Sequence, residues 1–354
     1  MKHYDIFSDC HAGRGDFYLK EDRASGLRAI IAVSNPERGP ALGGCRITRH
    51  LSSVEGLIEA SQLANTMQYK SAIHGLPFSG GKAVLLAPAV IVDRKAYFSA
   101  FGAFVESLEG KYITAMDSGV GKADMNAIAD KTTYVTNFCK VGGAPSAYTA
   151  KGVSLGIQAV VSHHLNKTSL KGVSVLIQGI GKVGYELMRR MVALGADVII
   201  SDIHDGIVKQ CKREFGVRSV LPCDIYQTTC DVFAPCATGS VLNLKTLSLF
   251  KAKIIAGAAN NPLAHESQAE LLHARRIIYV PDYVINAGGL IFSARQYLGS
   301  GVVSLDDKIE HIYDLTLEIL KQSDAHRLSP LVVANRYAQR MMMKERPTAA
   351  ISGT

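Results

Sequence analysis

The feature that most constrains this chain is a glycine-rich turn between an apolar strand and a helix. The run Gly179-Ile180-Gly181-Lys182-Val183-Gly184 follows a predicted strand, Val173–Gln178, and opens a helix predicted over Tyr185–Leu194. In this setting the first glycine permits a tight turn, the second lets backbone approach a pyrophosphate, and the third lets helix and strand pack closely. Unpaired N–H groups and the positive end of the helix dipole would face the phosphate charge. The pattern indicates dinucleotide binding.

The chain beyond residue 170 alternates short apolar runs with helical segments, which is typical of a doubly wound α/β domain. The other predicted strands are Asp197–Asp202, Asp231–Pro235, Lys253–Gly257 and Ile277–Val280. They are nearly continuous Val/Ile runs, as expected for parallel strands that are covered on both faces. We therefore predict a Rossmann-type sheet in this half of the chain.

Asp202 ends the strand after the glycine-rich turn. A carboxylate at this point accepts hydrogen bonds from an adenosine ribose and repels a 2′-phosphate, so NAD is favoured over NADP. The alternative is that Asp202 merely caps the next helix.

The first half of the chain has a different pattern of predicted strands and helices. A predicted strand, Leu27–Ser34, is followed by a Gly/Pro-rich stretch and by a long helix that begins near Ser52, where Ser52 and Glu55 form a capping box. The 354 residues suffice for two domains at roughly 150 residues each. We place the boundary in the stretch 142–152, which gives domains over residues 1–145 and 146–327. A C-terminal helix within residues 328–354 is expected to pack back on the first domain.

Charge and composition exclude several classes of protein. The net charge of +8 is scattered without a basic run or an aromatic-basic pattern, so we expect no nucleic-acid partner. The longest apolar stretch, Ala83–Val92, contains a proline and is about half of the ~20 residues that a membrane span needs. Residues 1–17 lack the apolar core of a signal peptide, so a cytoplasmic protein is expected. The seven cysteines never approach CxxC spacing, which predicts reduced thiols and no metal site.

Three charged residues of the first half stand in unusual surroundings. Lys82 lies between glycines and an apolar run, where partial desolvation and a second nearby ammonium would lower its pKa and suit a general base. Lys70 stands late in the long helix, whose negative pole favours a cation that binds an anion. Asp117 follows an apolar segment and could exchange protons with a substrate amine. Taken singly, such a lysine is more often a surface charge, and such an aspartate before glycine is more often a turn residue.

Six sequence blocks carry a family resemblance. They are residues 39–46, 67–72, 80–83, 233–237, 255–261 and 281–289. In these blocks the chain resembles the glutamate/leucine/phenylalanine/valine dehydrogenase family, with its leucine dehydrogenase branch the most similar, over about residues 25–345. The resemblance implies an N-terminal α/β substrate domain that assembles a homo-oligomer, a Rossmann NAD-binding domain, and a cleft between them. It further implies reversible oxidative deamination of an L-amino acid to a 2-oxo acid and ammonium, with hydride passing to NAD.

The resemblance also implies roles for single residues. Lys70 would bind the substrate carboxylate, Lys82 would activate water against the imine, and Asp117 would assist proton transfer at nitrogen. Gly44 would offer its backbone to the carboxylate, Arg46 and Thr149 would approach the cofactor, and Asn260, Asn261 and Asn286 would line its nicotinamide end, with Asn261 also reaching the substrate. The remaining cofactor residues implied are Gly179, Gly181, Lys182, Val183, Gly184, Asp202 and Ala237.

The same resemblance places Leu42, Ala115, Leu290 and Ser293 in the side-chain pocket. None of these four could pair with a second carboxylate, which argues against glutamate. Ala115 leaves less room for a ring than glycine would, so leucine, valine and isoleucine are preferred over phenylalanine and tryptophan. The alternatives are an aromatic amino-acid dehydrogenase and a non-catalytic homologue that senses NAD or binds nucleic acid. Two departures from the family pattern, Ser79 and Met116, bear on rate or substrate more than on reaction type.

Overall fold

The computed structural model describes residues 15–49, 52–136, 144–237, 239, 241–299, 301 and 303–343. Several sequence features lie outside these residues: Cys10, Cys139, nearly all of the N-terminal segment used to predict localisation, the start of the predicted domain boundary, and residues 344–354. The chain divides into two compact units. The first comprises residues 1–142, 293–303 and 338–354, and the second comprises residues 143–292 and 304–337.

The first unit contains a five-stranded mixed sheet. Its strands are β1 (Gly15–Asp22), β2 (Leu27–Ser34), β3 (Ala41–Thr48), β4 (Ser79–Leu86) and β5 (Tyr112–Met116). Their spatial order is β1-β2-β4-β3-β5, with β3 parallel to both β4 and β5 and with β2 antiparallel to β1 and β4. The predicted strand over residues 27–34 is β2, with the same bounds.

Three helices cover this sheet: α1 (Ser53–Ile73), α2 (Arg94–Glu106) and α3 (Lys122–Ala129). The predicted capping box opens α1, since Glu55 N lies 3.2 Å from Ser52 Oγ and Ser52 N lies 2.9 Å from Glu55 Oε2. Side chains alternate between the two faces of each strand, so Val84 packs with residues of α1 whereas Leu85 packs with residues of α2. Lys82 shares the face of Val84 and therefore lies on the α1 side of the sheet.

Gly80 lets α1 rest directly on β4. A Cβ at this position would lie 2.0 Å from the carbonyl oxygen of Ala64 and 2.4 Å from the backbone nitrogen of Gln68, so only glycine fits. The neighbouring Ser79 is buried, and its Oγ donates to the carbonyl oxygen of Gly39 at 3.0 Å. Ser79 has no positive φ, so its side chain costs no backbone strain.

The second unit contains a six-stranded, fully parallel sheet. Its strands are β6 (Ser174–Gln178), β7 (Asp197–Ser201), β8 (Arg218–Ser219), β9 (Val232–Pro235), β10 (Ile254–Ile255) and β11 (Ile278–Tyr279). The order β11-β10-β9-β6-β7-β8 reverses direction between β6 and β9, which creates a switch point at the carboxyl ends of these two strands. The predicted doubly wound sheet is confirmed, although β10 and β11 are shorter than predicted.

Helices accompany the strands of the second unit, and two of them return to the first. They are α4 (Pro145–Leu165), α5 (Lys182–Ala193), α6 (Asp205–Phe215), α7 (Leu244–Leu247), α8 (Ser267–Ala274), α9 (Asp282–Ile285), α10 (Gly288–Leu298), α11 (Leu305–His326) and α12 (Pro330–Met343). Helix α5 begins three residues before the predicted start, because Gly181 is its N-cap. The predicted helical tail is α12.

The end of α12 packs within the first unit. Arg38 Nη1 donates to the carbonyl oxygen of Met341 at 3.1 Å, and Gln339 Nε2 donates to the hydroxyl of Tyr69 at 3.2 Å. These hydrogen bonds hold the end of α12 against the segment that contains Arg38 and against the C-terminal part of α1, which contains Tyr69. Among the helices described, none combines the length and apolar character that crossing a membrane requires.

Candidate active site

Three strands of the first unit bring Lys82 and Asp117 together. Lys82 lies on β4, Asp117 directly follows β5, and β3 runs between them. The register pairs Gly44 of β3 with Ala115 of β5, and it sets Gly44 beside Lys82, since Leu42 pairs with Gly80. The Nζ of Lys82 forms an ion pair with Oδ2 of Asp117, and Lys82 is only 6 % exposed. The predicted base and the predicted proton-transfer carboxylate are therefore in direct contact.

Gly44 makes this contact sterically feasible. A Cβ on residue 44 would lie 2.7 Å from Cβ of Asp117, well inside van der Waals contact. Any side chain at this position would displace Asp117. The backbone role predicted for Gly44 toward the substrate carboxylate stays a prediction.

Arg46 also contacts the carboxylate of Asp117. Its Nε lies 3.3 Å from Asp117 Oδ2, and its Nη1 lies 3.0 Å from Oε1 of Glu59 on α1. Burial alone raises the pKa of the Asp117 carboxyl, but the charges of Lys82 and Arg46 outweigh it and lower that pKa to about 2. Asp117 is therefore ionised at neutral pH and can accept hydrogen bonds from an ammonium. The approach of Arg46 to a cofactor stays a prediction.

Three further residues predicted to bind substrate lie on this face of the sheet or on the helix that covers it. Leu42 is fully buried, and Ala115 is 7 % exposed. By strand alternation, Leu42 and Gly44 lie on one face of β3, while Ala115 and Asp117 lie on the same face of β5. Lys70 stands in the last turn of α1, the helix that covers this face, and is 5 % exposed. The arrangement combines two buried lysines with apolar neighbours.

The remaining predicted pocket residues lie on α10. Leu290 and Ser293 are one helical turn apart and are both buried. Leu290 belongs to the second unit and Ser293 to the first. The start of α10 packs on α4, where a Cβ at Gly289 would lie 2.8 Å from Oγ1 of Thr149. That hydroxyl donates to the carbonyl oxygen of Pro145 at 2.9 Å.

The glycine-rich turn of the second unit has the form that a pyrophosphate requires. Gly179 has a φ of 89°, and a Cβ there would lie 2.9 Å from the backbone nitrogen of Ala237. A Cβ at Gly184 would lie 1.9 Å from the carbonyl oxygen of Gly179, so α5 packs directly on the turn. A Cβ at Gly181 would meet no described atom within 4 Å, and no described side chain caps α5. The first N–H groups of α5, which begins with Lys182 and Val183, therefore face an open cradle that fits a phosphate.

The carboxylate of Asp202 stabilises this turn through hydrogen bonds to the backbone. Its Oδ2 accepts from the backbone nitrogen of Ile180 at 2.6 Å, and its Oδ1 accepts from the backbone nitrogen of His204, the N-cap of α6, at 2.8 Å. Each carboxylate oxygen keeps a second acceptor position. Because the N-cap of α6 is His204 and no described side chain caps this helix, the contact with His204 does not make Asp202 its cap. The predicted contact with a ribose stays a prediction.

The predicted asparagines gather at the carboxyl end of the sheet of the second unit. Asn286 Nδ2 donates to the carbonyl oxygen of Ala258 and to Oδ1 of Asn260, each at 3.1 Å. Asn286 Oδ1 is buried and has no hydrogen-bond partner among the described residues. A buried acceptor of this kind fits an amide donor such as the carboxamide of a nicotinamide ring. Together with the cradle at Gly181, it shows that the second unit fits a nicotinamide dinucleotide.

Sequence reasoning missed two residues that organise these sites. Asp282 accepts from the backbone nitrogen of Asn261 at 3.0 Å and from the hydroxyl of Tyr279 at 3.2 Å, and its carbonyl oxygen accepts from the backbone nitrogen of Asn286 at 2.8 Å. Its position in the block 281–289 was the available signal. Glu59, the partner of Arg46, gave no signal beyond its place on α1.

Comparisons with known proteins show which family the chain belongs to. Residues 16–134 match the family profile described as Glu/Leu/Phe/Val dehydrogenase, dimerisation domain, and residues 204–338 match the profile described as glutamate/leucine/phenylalanine/valine dehydrogenase. The leucine dehydrogenase of Geobacillus stearothermophilus is 41 % identical over 322 residues, which cover 90 % of this chain and 88 % of that protein. The valine dehydrogenase of Streptomyces coelicolor is 37 % identical over 350 residues, which cover 97 % of this chain and 96 % of that protein.

A solved structure gives the same answer for the fold. The crystal structure of L-tryptophan dehydrogenase from Nostoc punctiforme superposes with a TM-score of 0.78 at 34 % identity, covering 92 % of this chain and 95 % of that one. Fold, site and relatives together define an oxidoreductase of the amino-acid dehydrogenase class that uses NAD or NADP. The chain belongs to the glutamate/leucine/phenylalanine/valine dehydrogenase family, which confirms the resemblance drawn from the six sequence blocks.

Proposed function

We propose that this protein catalyses the reversible, NAD-dependent oxidative deamination of an apolar L-amino acid, with leucine, valine or isoleucine preferred. The products are the 2-oxo acid, ammonium and NADH. The observation that carries the proposal is the ion pair between the buried Lys82 and the partly buried Asp117, which shares one sheet face with the apolar side chains of Leu42 and Ala115. The similarity to leucine and valine dehydrogenases supports the choice of substrate.

Substrate binding follows from the charges of the first unit. Lys70 binds the carboxylate of the amino acid, and the backbone at Gly44 supports it. The ionised carboxylate of Asp117 accepts a hydrogen bond from the substrate ammonium, which competes with Lys82 for that carboxylate. In this arrangement Cα of the substrate has its nitrogen at Asp117 and its carboxylate at Lys70.

The chemistry needs proton transfers through two side chains of this chain. Asp117 accepts a proton from the substrate ammonium, which frees the amine for oxidation to an imine; NAD, when bound, would supply the hydride acceptor for Cα. Lys82, in its neutral form, takes a proton from water as the water oxygen adds to the imino carbon. Asp117 returns its proton to the nitrogen, which leaves as ammonia, and the hydroxyl proton of the adduct passes to solvent as the carbonyl of the 2-oxo acid forms.

The pocket selects an aliphatic side chain. Leu42 and Ala115 are buried in the first unit, and we propose that Leu290 and Ser293 complete the lining. Each buried CH₂ of a substrate gains about 0.8 kcal/mol in apolar surroundings, whereas a second carboxylate would need a cationic partner that these four residues do not supply. Discrimination between aliphatic substrates that differ by one methylene is expected to be only ~10–200-fold.

The cofactor is proposed to be NAD because Asp202 sets a carboxylate next to the turn that would hold the pyrophosphate. A 2′-phosphate at that place would meet a negative charge. Initial rates with NAD and with NADP on the same preparation test this choice. Equal kcat/KM for the two cofactors would contradict it.

An aromatic substrate is the second candidate, favoured by the similarity to the L-tryptophan dehydrogenase of Nostoc punctiforme. Under this alternative the pocket beside Ala115 accepts a ring. Comparing kcat/KM for leucine, phenylalanine and tryptophan decides between the two candidates. An Ala115→Gly variant should shift the ratio toward the aromatic substrates if Ala115 lines the pocket.

Spectrophotometry tests the function directly. Purified protein is mixed with NAD and, in turn, leucine, valine, isoleucine, phenylalanine or tryptophan at about pH 9–10, and NADH absorbance is followed. We expect turnover that is highest with an aliphatic substrate and absent in a Lys82→Ala control. No NADH with any of the five amino acids would refute the proposal.

We further propose that residues 1–145 form the substrate-binding and oligomerisation domain and that residues 146–327 form the NAD-binding domain of a homo-oligomer. The profile that matches residues 16–134 is described as a dimerisation domain, which supports this assignment. Light scattering coupled to size-exclusion chromatography measures the assembly. A monomer at micromolar concentration would contradict it.

A further inference from the structure

An ion pair outside the reacting groups holds the turn that follows β5. Arg94 is the first residue of α2, and Asp124 lies in the first turn of α3. Arg94 Nε lies 2.7 Å from Asp124 Oδ1, and Arg94 Nη2 lies 2.7 Å from Asp124 Oδ2. The pair is thus bidentate, which fixes the orientation of both side chains. Asp124 is 6 % exposed, and the guanidinium carbon of Arg94 lies 5.1 Å from the ring centroid of Phe98.

The same two side chains form hydrogen bonds with the backbone of the turn at residues 117–121. Arg94 Nη2 donates to the carbonyl oxygen of Gly119 at 2.7 Å. The backbone nitrogen of Gly121 donates to Asp124 Oδ2 at 2.7 Å. Gly119 has a φ of 82°, a conformation that L side chains rarely adopt, so the turn has a defined and unusual shape.

This turn begins at Asp117. The carbonyl oxygen of Asp117 accepts from the backbone nitrogen of Val120 at 3.1 Å, and the carbonyl oxygen of Ser118 accepts from the backbone nitrogen of Ile47 at 3.0 Å. Only two residues separate Asp117 from Val120. A shift of Gly119 or Gly121 is therefore transmitted to the backbone that carries the Asp117 carboxylate.

We propose that Arg94 and Asp124 are positioning residues of the reaction: they fix the turn 117–121 and thereby hold the Asp117 carboxylate against Lys82. Neither residue contacts the reacting groups, so their effect passes through the turn. This inference rests on the proposed function, because it assigns a catalytic task to the place of Asp117. The Arg94–Asp124 pair would then have a task in the reaction in addition to joining α2 and α3.

Graded variants separate positioning from packing. Arg94→Lys keeps the charge but loses the planar fork that reaches both Asp124 oxygens and the Gly119 carbonyl. Asp124→Asn keeps the shape of the side chain and loses its charge. The control is Arg218→Lys, which alters another Arg–Asp pair, formed with Asp197 within the second unit.

The expected result is a fall in kcat of tenfold or more in Asp124→Asn, a smaller fall in Arg94→Lys, and wild-type kcat in the control. KM for the amino acid should change less than kcat. The midpoint of the pH–rate profile should move by more than about half a pH unit, because a displaced Asp117 carboxylate changes the charge that the reacting groups face. A loss of folded protein alone would lower kcat without moving that midpoint.

Hydrogen exchange of the backbone amides of residues 117–121, followed by mass spectrometry, measures how firmly this turn is held. The measurement does not depend on enzymatic turnover. We expect faster exchange there in Asp124→Asn than in wild type and unchanged exchange in α5. Absence of wild-type turnover with all five amino acids would refute the proposed function. If the wild type is active, and Asp124→Asn keeps its kcat, pH profile and exchange rates, the positioning role is refuted while the proposed function stands.

Discussion

Replacing Gly44 by alanine tests the central geometry of the site with a single methyl group. The added Cβ would lie 2.7 Å from Cβ of Asp117 and 3.5 Å from the carbonyl oxygen of Ala115. Carbon atoms rest about 3.5–4.0 Å apart, so Asp117 must retreat by about 1 Å. The clashing atom is Cβ, which is bonded to the backbone, so rotation of the Asp117 side chain cannot relieve the contact. The backbone after β5 must move, and the carboxylate moves away from Lys82 with it.

The size of the effect follows from this displacement. A misplacement of about 1 Å at a reacting group costs about 100-fold in rate, or about 2.7 kcal/mol in activation free energy. The same overpacking should destabilise the folded protein by about 1–3 kcal/mol. Initial rates of NADH formation with leucine measure the first effect, and thermal unfolding followed by circular dichroism measures the second.

Two controls make the Gly44→Ala result specific. Gly206→Ala adds a methyl group to exposed α6, where no described atom lies within 4 Å, and should leave kcat/KM within about twofold. In a double-mutant cycle, Gly44→Ala should add little to the loss already caused by Asp117→Ala. Wild-type kcat/KM in Gly44→Ala, or a full additional loss in the Asp117→Ala background, would refute the argument.

Three further outcomes are expected. Lys82→Ala should abolish turnover while NADH binding, measured by fluorescence, survives; near-normal kcat would show that the base is misassigned. Lys70→Ala should raise KM for the amino acid strongly with a smaller change in kcat, as initial rates over a substrate series will show; an unchanged KM would remove the carboxylate role. The Asp117 carboxyl has a folded pKa of about 2, below the ~3.9 of an unfolded chain, so its ionisation stabilises the fold by about 2–3 kcal/mol above pH ~4. Urea unfolding between pH 5 and 2 should show this advantage over Asp117→Asn shrinking as pH falls, and a constant difference would contradict it.

The sequence was most informative where the relevant contacts are local. The capping box of Ser52 and Glu55 spans one helical turn and was readable before the fold was known. The glycine-rich turn was equally readable, because the strand Ser174–Gln178, the glycines and the following helix are contiguous. The family blocks then supplied candidates for the site residues, whereas spacing alone left surface charges as an alternative.

Predictions that depended on contacts between distant segments were less complete. The sequence predicts that the Asp202 carboxylate faces a ribose. In the structure this carboxylate accepts from the backbone nitrogen of Ile180, 22 residues earlier, and so holds the glycine-rich turn. Arg46 was assigned to the cofactor from resemblance alone, whereas its described contacts are with Glu59 and Asp117. Neither contact leaves a signal in the spacing of residues along the chain.

The amino-acid sequence by itself determined the parallel nucleotide-binding sheet, the long capped helix and the apolar character of the strands, since these depend on periodicity and turn chemistry over about ten residues. Only the tertiary structure decided that Lys82 and Asp117, 35 positions apart, form an ion pair. That contact requires β3 to lie between β4 and β5. It also requires glycine at position 44 of β3, where a side chain would collide with Asp117. Strand order and register follow from the packing of whole elements, and a shift of one residue would turn both side chains to the opposite face of the sheet.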